Sequence, residues 1–157
     1  MTIATLTSPD SYFEDFAPGQ RMRHVRGKTI GENETVILAH LTMNTAQGHF
    51  NAHNMAVSKF GRRITYGGVT ASIVVGLASE DTSENALADV ALDKLRLKTP
   101  VVEGDTLYSA TEVLSCAPSD RADAGLVTFK HYGFNQRDEL VCEVERTVLL
   151  RRRPTAA

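Results

Sequence analysis

His49 and Asn44 are five positions apart in Met43-Asn44-Thr45-Ala46-Gln47-Gly48-His49, a polar stretch around one glycine. An imidazole titrates near neutrality and can take a proton from water. An amide can orient that water or hold the ring in one tautomer, but it cannot exchange protons usefully. Further along, Arg62-Arg63-Ile64-Thr65-Tyr66-Gly67-Gly68-Val69-Thr70-Ala71-Ser72 carries the second signal, a glycine pair opening an apolar run of helical character. The free N–H groups of Gly67 and Gly68 at such a helix start suit a developing oxyanion, and glycine allows close approach and an unusual φ. A base beside such a turn implies chemistry on a carbonyl or thioester. Tyr66 and Ser72 flank the turn as candidate substrate contacts, although Ser72 is equally suited to plain helix packing. Arg62 and Arg63 could clamp a second carboxylate or a phosphate; a solvated basic pair is the plainer reading.

These residues need elements to hold them. Residues 20–29 read as a first strand. A helix is expected from Glu32, with Asn33 as N-cap and Val36, Ile37, Ala39 and Leu41 as its apolar stripe, ending near Met43, because Asn44 and Thr45 favour local side-chain bonds. After a loop through Asn51, a short helix around Asn54–Phe60 closes at Gly61. Gly68–Ser79 reads as a helix with almost no polar face, which must be buried nearly all round. A polar linker, Glu80–Ala86, follows. The pattern then changes to period two, giving strands near 89–100, 104–117, 124–135 and 139–151, divided by turn residues. Four successive strands without intervening helices imply an antiparallel sheet, and with the preceding helix an α+β class. A sheet curled around an apolar helix is the hotdog arrangement, which this periodicity permits without selecting.

At 157 residues the chain fits one domain with a real core. The expected organisation is a disordered or extended leader over 1–11, a single domain over 12–153 and a tail over 154–157. A formal charge of −2 argues against nucleic-acid binding, and no apolar run is long enough to span a bilayer. The N-terminus lacks a secretory signal's basic start and apolar core, so a cytoplasmic location is expected. Cys116 and Cys142 read as buried free thiols, and no His/Cys cluster suggests a metal site. His53 is expected at the surface, and His24, His40 and His131 are expected to carry no chemistry. Lys94, Arg96 and Lys98 alternate along a strand and should share a face; the Arg151-Arg152-Arg153 tail should sit in solvent.

Several phrases, in order, carry a family likeness. Tyr12-Phe13-Glu14-Asp15-Phe16-Ala17-Pro18-Gly19-Gln20, Phe60-Gly61-Arg62-Arg63-Ile64-Thr65-Tyr66-Gly67-Gly68, Leu95–Leu107 with its Glu103-Gly104-Asp105-Thr106-Leu107 turn, and Thr147-Val148-Leu149-Leu150 resemble the MaoC-like hydratases, the hotdog group that includes (R)-specific enoyl-CoA hydratases. The resemblance covers roughly 12–153. It implies a hotdog fold, hydration of a 2-enoyl-CoA, His49 as catalytic base, Ser72 at the family's active-site serine, and a homodimer or dimer-based higher oligomer with its sites near the interface. It implies no cofactor, the CoA thioester being the substrate. The family's catalytic phrase is Gly-Asp-x-Asn-Pro-x-His. Here the histidine keeps its spacing, but Asn44 replaces the carboxylate, and Tyr66 replaces the histidine before the helix glycine. The Asn-Thr-x-x-x-His phrase resembles the subgroup acting on branched or dicarboxylic acyl-CoAs, such as mesaconyl-CoA or itaconyl-CoA hydratases. Two rivals stand beside this reading. One is a hotdog thioesterase, disfavoured because residues 66–79 hold no Asp or Glu. The other is a non-catalytic acyl-CoA-binding subunit, which the amide at position 44 would suit.

Overall fold

A computed structural model of the chain describes residues 2–3 and 11–154. Its sheet contains β1 (Thr2–Ile3), β2 (Arg21–Thr29), β3 (Ala86–Leu97), β4 (Thr106–Pro118), β5 (Ala124–Phe134) and β6 (Leu140–Arg151), in the spatial order β1-β2-β4-β5-β6-β3. The short β1 joins β2 in parallel, and every other pairing is antiparallel. Between β2 and β3 lie the helices α1 (Glu32–Leu41), α2 (Ala52–Ala56) and α3 (Gly67–Thr82). The class is α+β, with the hotdog arrangement of a sheet around a central helix.

Burial alternates along β5 and β6, as expected for strands with one face against the core. That face receives α3, which packs against β2, β4, β5 and β6. Gly133 of β5 makes the approach possible: a Cβ there would lie 2.4 Å from Val74 Cγ2. Two apolar clusters flank the contact, one around Phe16, Met22, Phe129 and Leu150, the other around Ile30, Val74, Leu107 and Val141. The edge strand β3 differs: it shows no alternation and exposes Val90, Leu92, Leu95 and Leu97.

Some local expectations change. The central helix runs three residues beyond Ser79, because Asp81 and Thr82 are buried rather than solvated. Thr82 Oγ1 donates to Ala78 O at 2.7 Å, and Asp81 is bonded to His24. The same helix is not buried all round, for Ser72 and Gly76 are exposed. Gly31, not Asn33, is the N-cap of α1, its N–H donating to Glu34 Oε2 at 3.1 Å. The short α2 stops at Ala56, well before Phe60, with Asn51 Oδ1 capping Asn54 N at 3.0 Å. The segment taken for loop contains a 3₁₀ turn, Gln47–His49. In the leader, Thr2 and Ile3 are strand, while residues 1 and 4–10 lie outside the described residues. Cys116 and Cys142 are free thiols, and burial pushes Cys142 up to about 11.

The tail is exposed at Arg151 and Arg153, as expected, but Arg152 and Arg153 are held by ion pairs. Arg152 Nη1 meets Glu14 Oε1 at 3.1 Å and its guanidinium lies 4.5 Å from the centre of the Phe13 ring. Arg153 Nη2 bonds both Asp15 carboxylate oxygens at 2.7 Å. Lys94 and Lys98 are drawn to Glu145 and Glu143 of β6, and Lys94 breaks the strand at a φ of 50°.

Candidate active site

The site begins where α1 ends. Met43 adopts a left-handed φ of 57°, so that Asn44 N bonds back to Ala39 O at 2.8 Å and Met43 N to His40 O at 2.9 Å. This is a Schellman closure with methionine in the position glycine usually takes. It turns the chain sharply and presents Asn44 to a cavity of about 330 Å³. Asn44 Oδ1 accepts from Ala46 N at 3.0 Å, which leaves the amide Nδ2 as a donor.

The following 3₁₀ turn delivers His49. Its Nδ1 lies 2.9 Å from the carbonyl oxygen of Ile64. A carbonyl only accepts, so Nδ1 carries the proton and the neutral ring presents Nε2 as its basic nitrogen. Ile64 is itself held by Ile64 N→Gly48 O at 3.1 Å and a bridge to Val102, and Thr65 N→Val101 O at 2.7 Å extends the clamp. The imidazole is therefore oriented by backbone fixed from two sides.

Tyr66 is the N-cap of α3, and its ring centre lies 5.6 Å from that of His49. The first helical hydrogen bond is Thr70 N→Tyr66 O at 3.0 Å. Gly67, Gly68 and Val69 thus keep N–H groups without a helical partner, at the positive end of a 16-residue helix. Neither glycine has a left-handed φ; the unusual conformation expected from the sequence is absent, and close approach explains both. A Cβ on Gly67 would meet Leu97 at 2.2 Å, and one on Gly68 would meet the Tyr66 ring at 2.8 Å.

Asn44, His49, Tyr66 and Gly67 line the same cavity, whose apolar wall comes from Ile64, Leu97, Pro100, Val101 and Val141. No carboxylate is among its lining residues. Gly68 follows Gly67 at the helix start but is not among the lining residues, and three further sequence candidates lie elsewhere. Ser72 Oγ donates to Gly68 O at 2.9 Å on the exposed side of the helix. Arg63 is taken by Glu32 at 2.6 Å and Glu103 at 3.5 Å, and neither it nor the exposed Arg62 lines the cavity. Leu97 and Val141 escaped sequence reading, because only sheet pairing brings β3 and β6 to the start of α3. Thr70 was within reach, since it lies one helical turn from Tyr66.

Two of the remaining histidines are structural in an unexpected way. His24 Nδ1 is 2.6 Å from Asp81 Oδ2, His24 Nε2 is 2.7 Å from Thr111 Oγ1, and Thr111 Oγ1 is 2.8 Å from His131 Nδ1. All four residues are buried. Burial holds both imidazoles below the ordinary histidine range, against the pull of Asp81 on His24, and His131 falls to about 3. With both rings neutral, the proton order is fixed. His24 Nδ1–H donates to Asp81, Thr111 O–H donates to His24 Nε2, and His131 Nδ1–H donates to Thr111.

The sequence model describing mesaconyl-CoA hydratase matches residues 4–152. The chain belongs to the mesaconyl-CoA hydratase family. The mesaconyl-CoA hydratase of Haloarcula marismortui is 36% identical over 163 residues, an alignment that takes in 94% of this chain and 44% of the relative. The family domain described here therefore spans less than half the length of that protein. The (R)-specific enoyl-CoA hydratase of Rhodospirillum rubrum is 28% identical over 88% of this chain and 91% of its own length. Among solved structures, a MaoC domain protein of Chloroflexus aurantiacus superposes with a TM-score of 0.87 at 30% identity, covering 92% of this chain and 46% of that one. Among the described residues, no helix is long and apolar enough to cross a membrane.

Proposed function

We propose that this domain adds water reversibly to the double bond of a 2-enoyl-CoA thioester, with a branched or dicarboxylic acyl group of the mesaconyl kind as its preferred substrate. The observation that carries the reading is the locked tautomer of His49, whose Nε2 is left as the basic nitrogen in a cavity that Gly67, the first residue of α3, also lines. Similarity to the Haloarcula mesaconyl-CoA hydratase supports the acyl class, and similarity to the Rhodospirillum hydratase, which this chain matches nearly end to end, supports hydration by a single domain.

The chemistry balances within the cavity. Nε2 of His49 takes a proton from water as the hydroxide bonds to C3, and the π electrons move onto the thioester oxygen. The Gly67 and Gly68 amides stabilise the resulting enolate, a contribution of about 3 kcal/mol per donor in comparable sites. The imidazolium then returns its proton to C2, so one histidine serves as base and acid. Asn44 Nδ2 can donate to the water oxygen while Nε2 accepts its proton, and so replaces the orienting role of a carboxylate without joining the proton transfer.

The reading needs no cofactor and places the protein in the cytoplasm as a homodimer or a dimer-based larger assembly. It is tested by following crotonyl-CoA and mesaconyl-CoA with two readouts. Loss of the conjugated-thioester absorbance without free thiol is the expected result. Thiol release would establish a thioesterase instead, and inertness towards both substrates would leave an acyl-CoA-binding subunit.

A further inference from the structure

We infer that Leu97 and Gly67 are a matched pair that sets the space beside the thioester-binding turn, and so determines which C2 substituent the cavity admits. The selectivity part of this inference rests on the hydratase reading; the steric part does not. Gly67 has no left-handed φ, so backbone freedom does not explain a glycine there. Packing does. A Cβ at position 67 would lie 2.2 Å from Leu97 Cδ1, 3.0 Å from Cδ2 and 3.2 Å from Cγ. Three atoms of one branched side chain occupy the place of the missing methyl.

Leu97 can yield only by turning its side chain, because its backbone is pinned. It is the last residue of β3, its Cα is in register with Cys142 of β6, and the next residue is anchored by Lys98 N→Val141 O at 2.9 Å. The side chain thus spans from a paired strand to the start of α3. Position 68 is different, because the obstructing group there is the ring of the adjacent Tyr66. Both Leu97 and Gly67 line the cavity, and Leu97 stays 56% exposed, with its outer flank at the mouth. An acyl group whose thioester oxygen meets the Gly67 N–H places C2 one carbon away from the carbonyl. A substituent on C2 then falls against the leucine methyls. Apolar walls of this kind discriminate about 10–200-fold per methylene.

Four proteins test the pair: the parent, Gly67→Ala, Leu97→Ala and the double variant. Each is measured for thermal midpoint and for kcat/KM with crotonyl-CoA and with its 2-methyl homologue, tiglyl-CoA. Because an acyl group of the mesaconyl kind carries a C2 methyl that would pack on this wall, Leu97→Ala should stay folded and lower the tiglyl-to-crotonyl ratio about tenfold. Gly67→Ala should lower both midpoint and turnover, and adding Leu97→Ala to the same chain should restore most of each. If Gly67→Ala does the same damage in the Leu97→Ala background as in the parent, the steric pair is wrong whatever the enzyme does. An unchanged substrate ratio in an active Leu97→Ala protein removes the selectivity role. A rescued midpoint in proteins that hydrate neither thioester overturns the hydratase reading and leaves the packing intact.

Discussion

The role proposed for His49 rests on a single backbone contact. Because Ile64 O can only accept, the proton is placed on Nδ1 and the basic nitrogen is left for the cavity. Replacing His49 with alanine should therefore lower kcat/KM for enoyl-CoA hydration by at least about a hundredfold, the usual scale for a general base. The circular dichroism spectrum should stay unchanged, since the side chain is only partly buried. Near-normal turnover would exclude the imidazole from the reaction. The gathering of these residues at one cavity was legible here from the sequence: an imidazole, an amide at fixed spacing and a glycine pair before an apolar run. The reason for the glycines was not. The sequence suggests permissive φ values, whereas the structure shows two side chains, Leu97 and the Tyr66 ring, lying where the Cβ atoms would be. One of them comes from thirty positions away in the chain, and no local pattern records such a contact. The same holds for Arg63, whose two acidic partners come from α1 and from the turn before β4.

The central helix is fixed at both ends by unlike means. Its start is set by backbone bonds around Tyr66, and its far end by the buried chain from Asp81 through His24 and Thr111 to His131, which ties α3 to β2, β4 and β5. Sequence periodicity ended the helix at Ser79 because Glu80-Asp81-Thr82 looks polar. It could not register that Asp81 faces inward to an imidazole from β2. This chain has a pH signature. Both histidines are held below their unfolded value, so the unfolded chain binds more protons in acid and stability falls as pH drops. The loss begins near the unfolded histidine pKa of about 6.5 and continues towards pH 3 for His131, at up to about 1.4 kcal/mol per pH unit for each ring. Arg146 and Arg26 flank the chain and oppose a further positive charge, while Asp81 favours one on His24. Urea unfolding at pH 7.5, 6.5 and 5.5 should show this decline, and His131→Phe should flatten it. A slope that the substitution leaves untouched would exclude His131 as the acid-sensitive group.

At the scale of the molecule, one side of the sheet stays unfinished. Strand β3 is an edge with exposed apolar residues along most of its length, Leu92 at 63%. On α3, Ser72 and Gly76 are exposed as well. Edges and apolar faces of this kind are covered in stable proteins. We expect a second copy to cover them, so sedimentation should give twice 17.1 kDa. Leu92→Glu should shift the protein to the monomer mass, and an unaltered dimer would place the interface elsewhere. The succession of strands along the chain and the apolar helix before them were legible from period-two runs, turn residues and helical spacing. The bare edge was not, because strand pairing alone decides that Val90, Leu92, Leu95 and Leu97 lie on an edge strand and stay outside.

The arginine tail has an architectural consequence. Glu14 and Asp15 hold Arg152 and Arg153, with Phe13 and Tyr12 stacked beneath the guanidinium groups. The end of β6 is thereby tied to the segment that leads from Ser11 into β2. A module or tether joined beyond Arg153 would hang from this patch, close to where α3 ends and away from the cavity at its start.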